Sequence, residues 1–103
     1  MRVALRATIR GVVLSFKHRG LHRFFETKSA AGIPAAQSKR IAAMLAQLQE
    51  AEQPSDMNFP GWKLHPLKGF KPVRWSVWVS GNVRLTFAFD GRHVVDVDLE
   101  DYH

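Results

Sequence analysis

The spacing of apolar residues changes partway along this chain, and this change restricts the fold more than any other feature. From about residue 20 to residue 52 the apolar residues recur at helical spacing, whereas from Trp62 onward they alternate with polar ones. Residues 54–61, rich in proline, glycine and small polar residues, separate the two patterns. The order predicts an α+β domain in which helices precede most of the strands.

Two helices and one preceding strand are predicted in the first half. Residues 12–16 are a short β-branched and aromatic run, which is typical of a strand. One helix begins near Gly20, and Pro34 can open a second helix over about residues 35–52. The buried stripe of that second helix consists of Ile41, Met44, Leu45 and Leu48.

The second half predicts four strands connected as a meander. Ser80-Gly81-Asn82 and Asp90-Gly91 are hairpin signals between neighbouring strands. The strands are expected over residues 62–67, 74–80, 83–90 and 93–99. The resulting β-α-α-β-β-β-β order predicts two N-terminal helices packed on one face of a mainly antiparallel sheet, with the other face left open.

Composition limits the classes of protein that remain. The 103 residues suffice for one small domain, expected over residues 12–103. There is no cysteine, hence no disulfide or thiolate metal site, and no apolar run approaches a membrane span. His18 and His22 lie four residues apart, but nothing nearby completes a metal site, so we expect solvated histidines, no metal and no cofactor. Cytoplasmic localisation is the default expectation.

Positive charge is in excess, with 15 Lys and Arg against 9 Asp and Glu, a net charge of +6. A small, strongly basic domain favours a nucleic acid or an acidic protein as partner, because counterion release and Coulomb attraction stabilise such contacts. The alternative is a protein that is basic for solubility alone.

A histidine and two lysines surround the first strand of the meander. Lys63 and His65 are two residues apart, so on an extended strand they share a face. Pro66 and Gly69 end this strand and release Lys68 close to His65. Two further cations, Lys71 and Arg74, follow it.

Cleavage of RNA without a metal requires a base for the 2′-hydroxyl proton, a cation for the phosphorane charge, and an acid for the departing 5′-oxygen. Arg84 alternates with apolar neighbours and so faces away from the core, although it could instead pair with Asp96 or Asp98. His65 and His103 are candidate proton carriers, and which of them is the base stays open. The full candidate set is His65, Lys68, Arg84, Asp101, Tyr102 and His103.

Four ordered motifs give this chain a family resemblance. His65-Pro66-Leu67-Lys68-Gly69, an Asn-x-Arg-x-x-Phe motif from Asn82, and the terminal Glu100-Asp101-Tyr102-His103 resemble the HigB toxins of the RelE superfamily, as does the SFKHRGL run of residues 15–21. The resemblance implies a RelE-like fold and a type II toxin that cuts mRNA in the ribosomal A site by 2′-hydroxyl attack. It also implies a cognate HigA-type antitoxin, with operator DNA bound only through the toxin-antitoxin complex, and the candidate set above as the catalytic residues. RNA or ribosome binding by Lys63, Lys71 and Arg74 is expected on the same ground.

Two departures from the family pattern keep other interpretations open. Residues 70–75 lack the Asp-Arg and Gly-Tyr character that often follows the histidine motif, and Val83 replaces a common tryptophan. A non-enzymatic inhibitor, like the gyrase-poisoning ParE branch, is one alternative, and a decayed toxin that only binds its antitoxin is another. Residues 1–11 are interpreted either as an extension from an upstream start assigned to the reading frame, which we favour, or as a functional arm.

Overall fold

Two helices form one layer of the part of the chain that the computed structural model describes, residues 13–101. Helix α1 is Arg19–Thr27 and helix α2 is Ser38–Glu50, with 3₁₀ turns at Ala35–Gln37 and Pro54–Met57 on either side of α2. The imidazole Nδ1 of His18 accepts the backbone N–H of Leu21 at 3.0 Å and so caps α1. Both predicted helices are therefore present, and the predicted extension, residues 1–11, lies outside the described residues.

Four antiparallel strands form the second layer in the order in which they occur along the chain. Their bounds are His65–Leu67 for β1, Arg74–Ser80 for β2, Val83–Asp90 for β3 and His93–Asp101 for β4. The meander is thus confirmed, but β1 begins at His65 instead of residue 62. Lys63 has a φ of 51°, in the left-handed region, so the extended conformation is interrupted there.

The strand predicted at residues 12–16 is reduced to two parallel bridges on the outer edge of β4. Val13 pairs with Val94 and Phe16 with Val97. Between these bridges β4 carries a bulge, because Asp96 and Val97 together oppose Phe87. Continuous pairing is lost at this bulge, which has positive φ at Asp96.

The two faces of the sheet differ in what covers them. On the helix face, Val77, Leu85 and Phe87 are fully buried and pack with the apolar stripe of α2 and with Leu21 of α1. Burial of each such side chain contributes about 1.5–3 kcal/mol. The opposite face, called the second face below, carries Ser76, Trp78, Arg84, Thr86 and Glu100. The predicted α+β arrangement, with helices on one face of the sheet, is confirmed.

A close backbone contact joins the start of α1 to the loop before α2. A Cβ atom placed on Gly20 would lie 2.5 Å from the carbonyl oxygen of Gly32, well inside contact distance. Glycine at this position therefore allows the two segments to meet, and the loop continues into the buried Ile33.

Gly20→Ala is expected to lower the free energy of unfolding by about 1–3 kcal/mol, because the added methyl group forces the two backbones apart. Elsewhere in a helix the same change is favourable by about 0.5–1 kcal/mol, so the sign of the effect is diagnostic. Urea denaturation measures it, with Arg19→Ala at the exposed neighbouring position as control. An unchanged or higher stability of Gly20→Ala would contradict the contact.

Candidate functional site

Cross-strand register arranges the second face in rows. His65 lies opposite Ser76, and Ser76 lies opposite Thr86. The next row, called the arginine row, places Trp78 opposite Arg84 and Arg84 opposite Glu100. His65 and Arg84 are therefore on one face in adjacent rows, with Cα atoms about 12 Å apart by ordinary strand spacing. A phosphodiester group with its ribose can lie between two side chains of this length.

The imidazole of His65 is held in one tautomer. Its side chain is exposed, and Nδ1 lies 3.0 Å from the carbonyl oxygen of Lys63. Because a carbonyl oxygen only accepts hydrogen bonds, Nδ1 carries the proton. In the neutral ring Nε2 is then left with its lone pair, so His65 can accept a proton through Nε2.

Arg84 lies in mid-strand on the second face, as its alternation with Val83 and Leu85 predicts. The residue opposite it is Glu100, whereas Asp98 lies opposite Thr86. Glu100 is therefore the cross-strand neighbour of Arg84, and Asp98 is its diagonal neighbour on β4. The side chain of Arg84 is half-buried and lies near the end of the sheet at which β4 ends.

The C-terminal motif begins next to Arg84. Strand β4 continues through Glu100 to Asp101, which is exposed and pairs with Val83. The Val83 and Asp101 pair is thus the pair next to the arginine row. Tyr102 and His103 lie outside the described residues.

The lysines Lys68 and Lys71 follow the C-terminal end of β1, whereas His65 is its first residue. Both lysines are exposed in the segment that follows the strand, and Lys68 is the first residue after β1. Lys71 and the 49%-exposed Phe70 line a cavity of about 180 Å³ together with Lys17.

The side chain of Lys63 lies on the second face, although strand alternation does not apply at this residue. Its backbone is in the left-handed region, and its ammonium lies 4.5 Å from the centre of the Trp78 indole. Sequence analysis missed Trp78 as a site residue, although its position between Val77 and Val79 already places it on the face away from the core.

Arg74, for which the sequence predicts RNA or ribosome binding, has a structural role within the sheet. Arg74 is 93% buried, and its Nη2 donates to Thr86 Oγ1 at 2.8 Å and to the carbonyl oxygen of Asp96 at 2.9 Å. Thr86 Oγ1 in turn donates to Glu100 Oε2 at 2.6 Å. The guanidinium of Arg74 therefore links β2, β3 and β4 from within the sheet.

Within residues 13–101 no three His, Asp or Glu side chains are placed to hold a metal ion. His18 caps α1, and Nε2 of His22 lies 3.1 Å from Glu26 Oε2, so these two histidines have local structural roles. Over the same residues, no helix has the length and apolar character needed to cross a membrane.

These features define a small basic α+β protein with an exposed imidazole and cations on the face of the sheet that the helices leave free. Comparison with known families is consistent with this description. A family described as the RelE-like toxin of type II toxin-antitoxin system HigB matches residues 14–103. The chain is also 38% identical over 92 residues to Endoribonuclease HigB of Proteus vulgaris, a match that spans 89% of this chain and all of that relative.

The chain therefore belongs to the HigB family of RelE-like toxins. A toxin of a type II system is paired with a protein antitoxin, so an antitoxin is one of its partners. The family resemblance inferred from the ordered motifs is confirmed.

Arg74→Met is expected to destabilise the protein by about 2–4 kcal/mol, because Thr86 and the Asp96 carbonyl lose a charged donor in a buried position. Urea denaturation followed by circular dichroism measures the change. Lys71→Met, which removes the same charge from an exposed turn, is the matched control and should stay within about 0.5 kcal/mol of the wild type. Equal effects of the two substitutions would argue against a structural role for Arg74.

Proposed function

We propose that this toxin is an endoribonuclease that cuts mRNA in the A site of translating ribosomes. Its family membership and its relative named as an endoribonuclease support the activity. The cytoplasm, where translation occurs, is the proposed location, and a HigA-type antitoxin is the proposed inhibitor. Operator DNA is contacted only through the toxin-antitoxin complex in this proposal.

The observation that carries the proposal is the placement of His65 and Arg84 on one face, in adjacent rows, beside the end of β4. Metal-independent RNA cleavage needs a proton acceptor and a cation that are held a fixed distance apart around one phosphate. An imidazole with a free Nε2 lone pair and a guanidinium anchored on a central strand meet that need.

The proposed reaction is attack of the ribose 2′-oxygen on the adjacent phosphorus. His65 Nε2 takes the 2′-hydroxyl proton as the new O–P bond forms, and Arg84 stabilises the negative oxygens of the phosphorane. The P–O5′ bond then breaks, and the leaving oxygen takes a proton from an acid of the C-terminal motif. This gives a 2′,3′-cyclic phosphate and a 5′-hydroxyl end.

The remaining predicted residues have supporting roles in this proposal. Asp101, Tyr102 and His103 form the C-terminal motif, which supplies the acid in this proposal. Lys68 and Lys71, in the exposed turn, bind phosphates of the message further from the cut or contact the ribosome.

His65→Gln and Arg84→Ala are each expected to lower the cleavage rate by about 100-fold or more, since each removes a group that acts on the reacting atoms. The measurement is mapping of new 5′-ends on translated messages after a pulse of expression, together with growth. Arg23→Ala, at an exposed position on α1, controls for loss of one positive charge.

The outcomes of that experiment separate the proposed activity from its alternatives. New cuts that disappear in both variants support the nuclease. Growth arrest without cuts would favour a non-enzymatic inhibitor, and no arrest in the wild type would favour a toxin that only binds its antitoxin.

Cleavage of free RNA by the purified toxin is expected to be at least about 100-fold slower than cleavage of the same message on programmed ribosomes. The second face is an open sheet surface, and the ribosome supplies the orientation that would otherwise be lost as entropy. Single-turnover cleavage of one labelled message, with and without ribosomes, compares the two rates. Equal rates would contradict ribosome dependence.

A further inference from the structure

A tryptophan flanked by two cations lies beside Arg84 and has no part in the proposed chemistry. The Nζ atom of Lys63 is 4.5 Å, and the Cζ atom of Arg40 is 5.5 Å, from the centre of the Trp78 ring. Cations at these distances are attracted by the negative face of an indole. We call these three residues, Trp78, Lys63 and Arg40, the tryptophan cluster.

Hydrogen bonds hold both the indole and the backbone of Trp78. Trp78 Nε1 donates to the carbonyl oxygen of Gly81 at 3.0 Å, and its backbone N–H donates to the carbonyl oxygen of Trp62 at 2.7 Å. Its own carbonyl oxygen accepts from Arg40 Nη2 at 2.9 Å, and the same Nη2 donates to Gly61. The ring is therefore a fixed platform, with its position set by the hairpin turn, the loop before β1 and helix α2.

The two cations of the cluster differ in what holds them. Arg40 is half-buried, and its guanidinium is engaged by two carbonyl groups. Lys63 is exposed, and the left-handed backbone at this residue directs its side chain over the indole. Lysine seldom adopts positive φ without tertiary support, and the packing over Trp78 is an interaction that supports it here.

The location of the cluster indicates its ligand. Trp78 lies directly opposite Arg84 in the arginine row, and Lys63 is two residues before His65, whose ring contacts the Lys63 carbonyl. The Lys63 ammonium is therefore held at the edge of the surface where the reacting phosphate is proposed to lie. Exposed cations held near an aromatic ring are typical of surfaces that bind the backbone of single-stranded nucleic acid.

We propose that Lys63 binds a backbone phosphate of the single-stranded message next to the nucleotide that is cut, and that Trp78 is a positioning residue that holds the Lys63 ammonium for this contact. The identity of the ligand as RNA rests on the proposed function. Trp78 acts through Lys63 and touches no reacting atom, so its loss weakens RNA binding and leaves the chemical step intact.

Two measurements on the full-length toxin test this assignment. The first is the rate of single-turnover cleavage on programmed ribosomes as a function of toxin concentration. Lys63→Met should raise the half-saturating concentration about fivefold to tenfold and leave the saturating rate unchanged. Lys63→Arg should restore binding.

The same measurement tests the role of Trp78. Trp78→Leu should reproduce the effect of Lys63→Met, and Trp78→Phe should largely preserve wild-type behaviour. The double variant Lys63→Met with Trp78→Leu should be no worse than Lys63→Met alone.

The second measurement is independent of cleavage. It follows binding of a fluorescent single-stranded oligoribonucleotide with 2′-O-methyl riboses over a range of salt concentrations. Lys63→Met should reduce the slope of log affinity against log salt by about 0.7, the loss of one phosphate contact. Lys39→Met, at an exposed position on α2, removes the same charge and should leave the slope unchanged.

The combined outcomes distinguish this inference from the proposed function. A reduced slope in Lys63→Met, with a wild type that cuts no RNA, would support the phosphate contact and overturn the nuclease. A Lys63→Met variant indistinguishable from Lys39→Met in slope and in half-saturating concentration would overturn the phosphate contact, whatever the wild type cuts. A double variant weaker than both single variants would overturn the role of Trp78 as the residue that positions Lys63.

Discussion

The buried guanidinium of Arg74 is the interaction on which the second face depends. It binds Thr86 on β3 and the carbonyl oxygen of Asp96 in the bulge of β4, and Thr86 then binds Glu100. These contacts fix β3 and β4 against each other next to Arg84. A slip of one residue in β3 would turn Arg84 toward the helices, and a slip in β4 would turn Glu100 toward them, so the register that these contacts hold is a condition for any chemistry on this face.

The two faces of the sheet differ in how far their residues are buried, although the difference is not complete. Apolar burial on the helix face is provided by residues such as Leu85 and Phe87, whereas His65 and Lys63 on the other side are exposed. Ser76 and Thr86 lie in the same row as His65 and are nevertheless fully buried. Part of the second face is thus a polar layer that supports the exposed residues, which explains why a basic residue there need not be a ligand-binding one.

Much of the fold could be predicted from periodicity, because a half-buried strand shows which residues share a face. Strands β2 and β3 and both helices follow their patterns, and ordered motifs were enough to identify the family. Alternation gives the face of a residue but not its depth, so it could not show that Arg74 is buried. It also assumes extended backbone, an assumption that fails at Lys63, where φ is positive. Bulges such as the one at Asp96 depend on long-range pairing, so the broken strand before α1 could not be foreseen.

Strand β4 is long enough to bring the C-terminal motif to the arginine row. Pairing with β3 continues to the Val83 and Asp101 pair, and this brings the start of the C-terminal motif beside Arg84. His65 reaches the same surface only through the pairing of β1 with β2 and of β2 with β3. Since three consecutive strand pairings are needed to bring these residues together, the proposed activity requires the complete sheet. A partly folded chain has the same residues and the same charge, and it lacks the geometry that the chemistry needs.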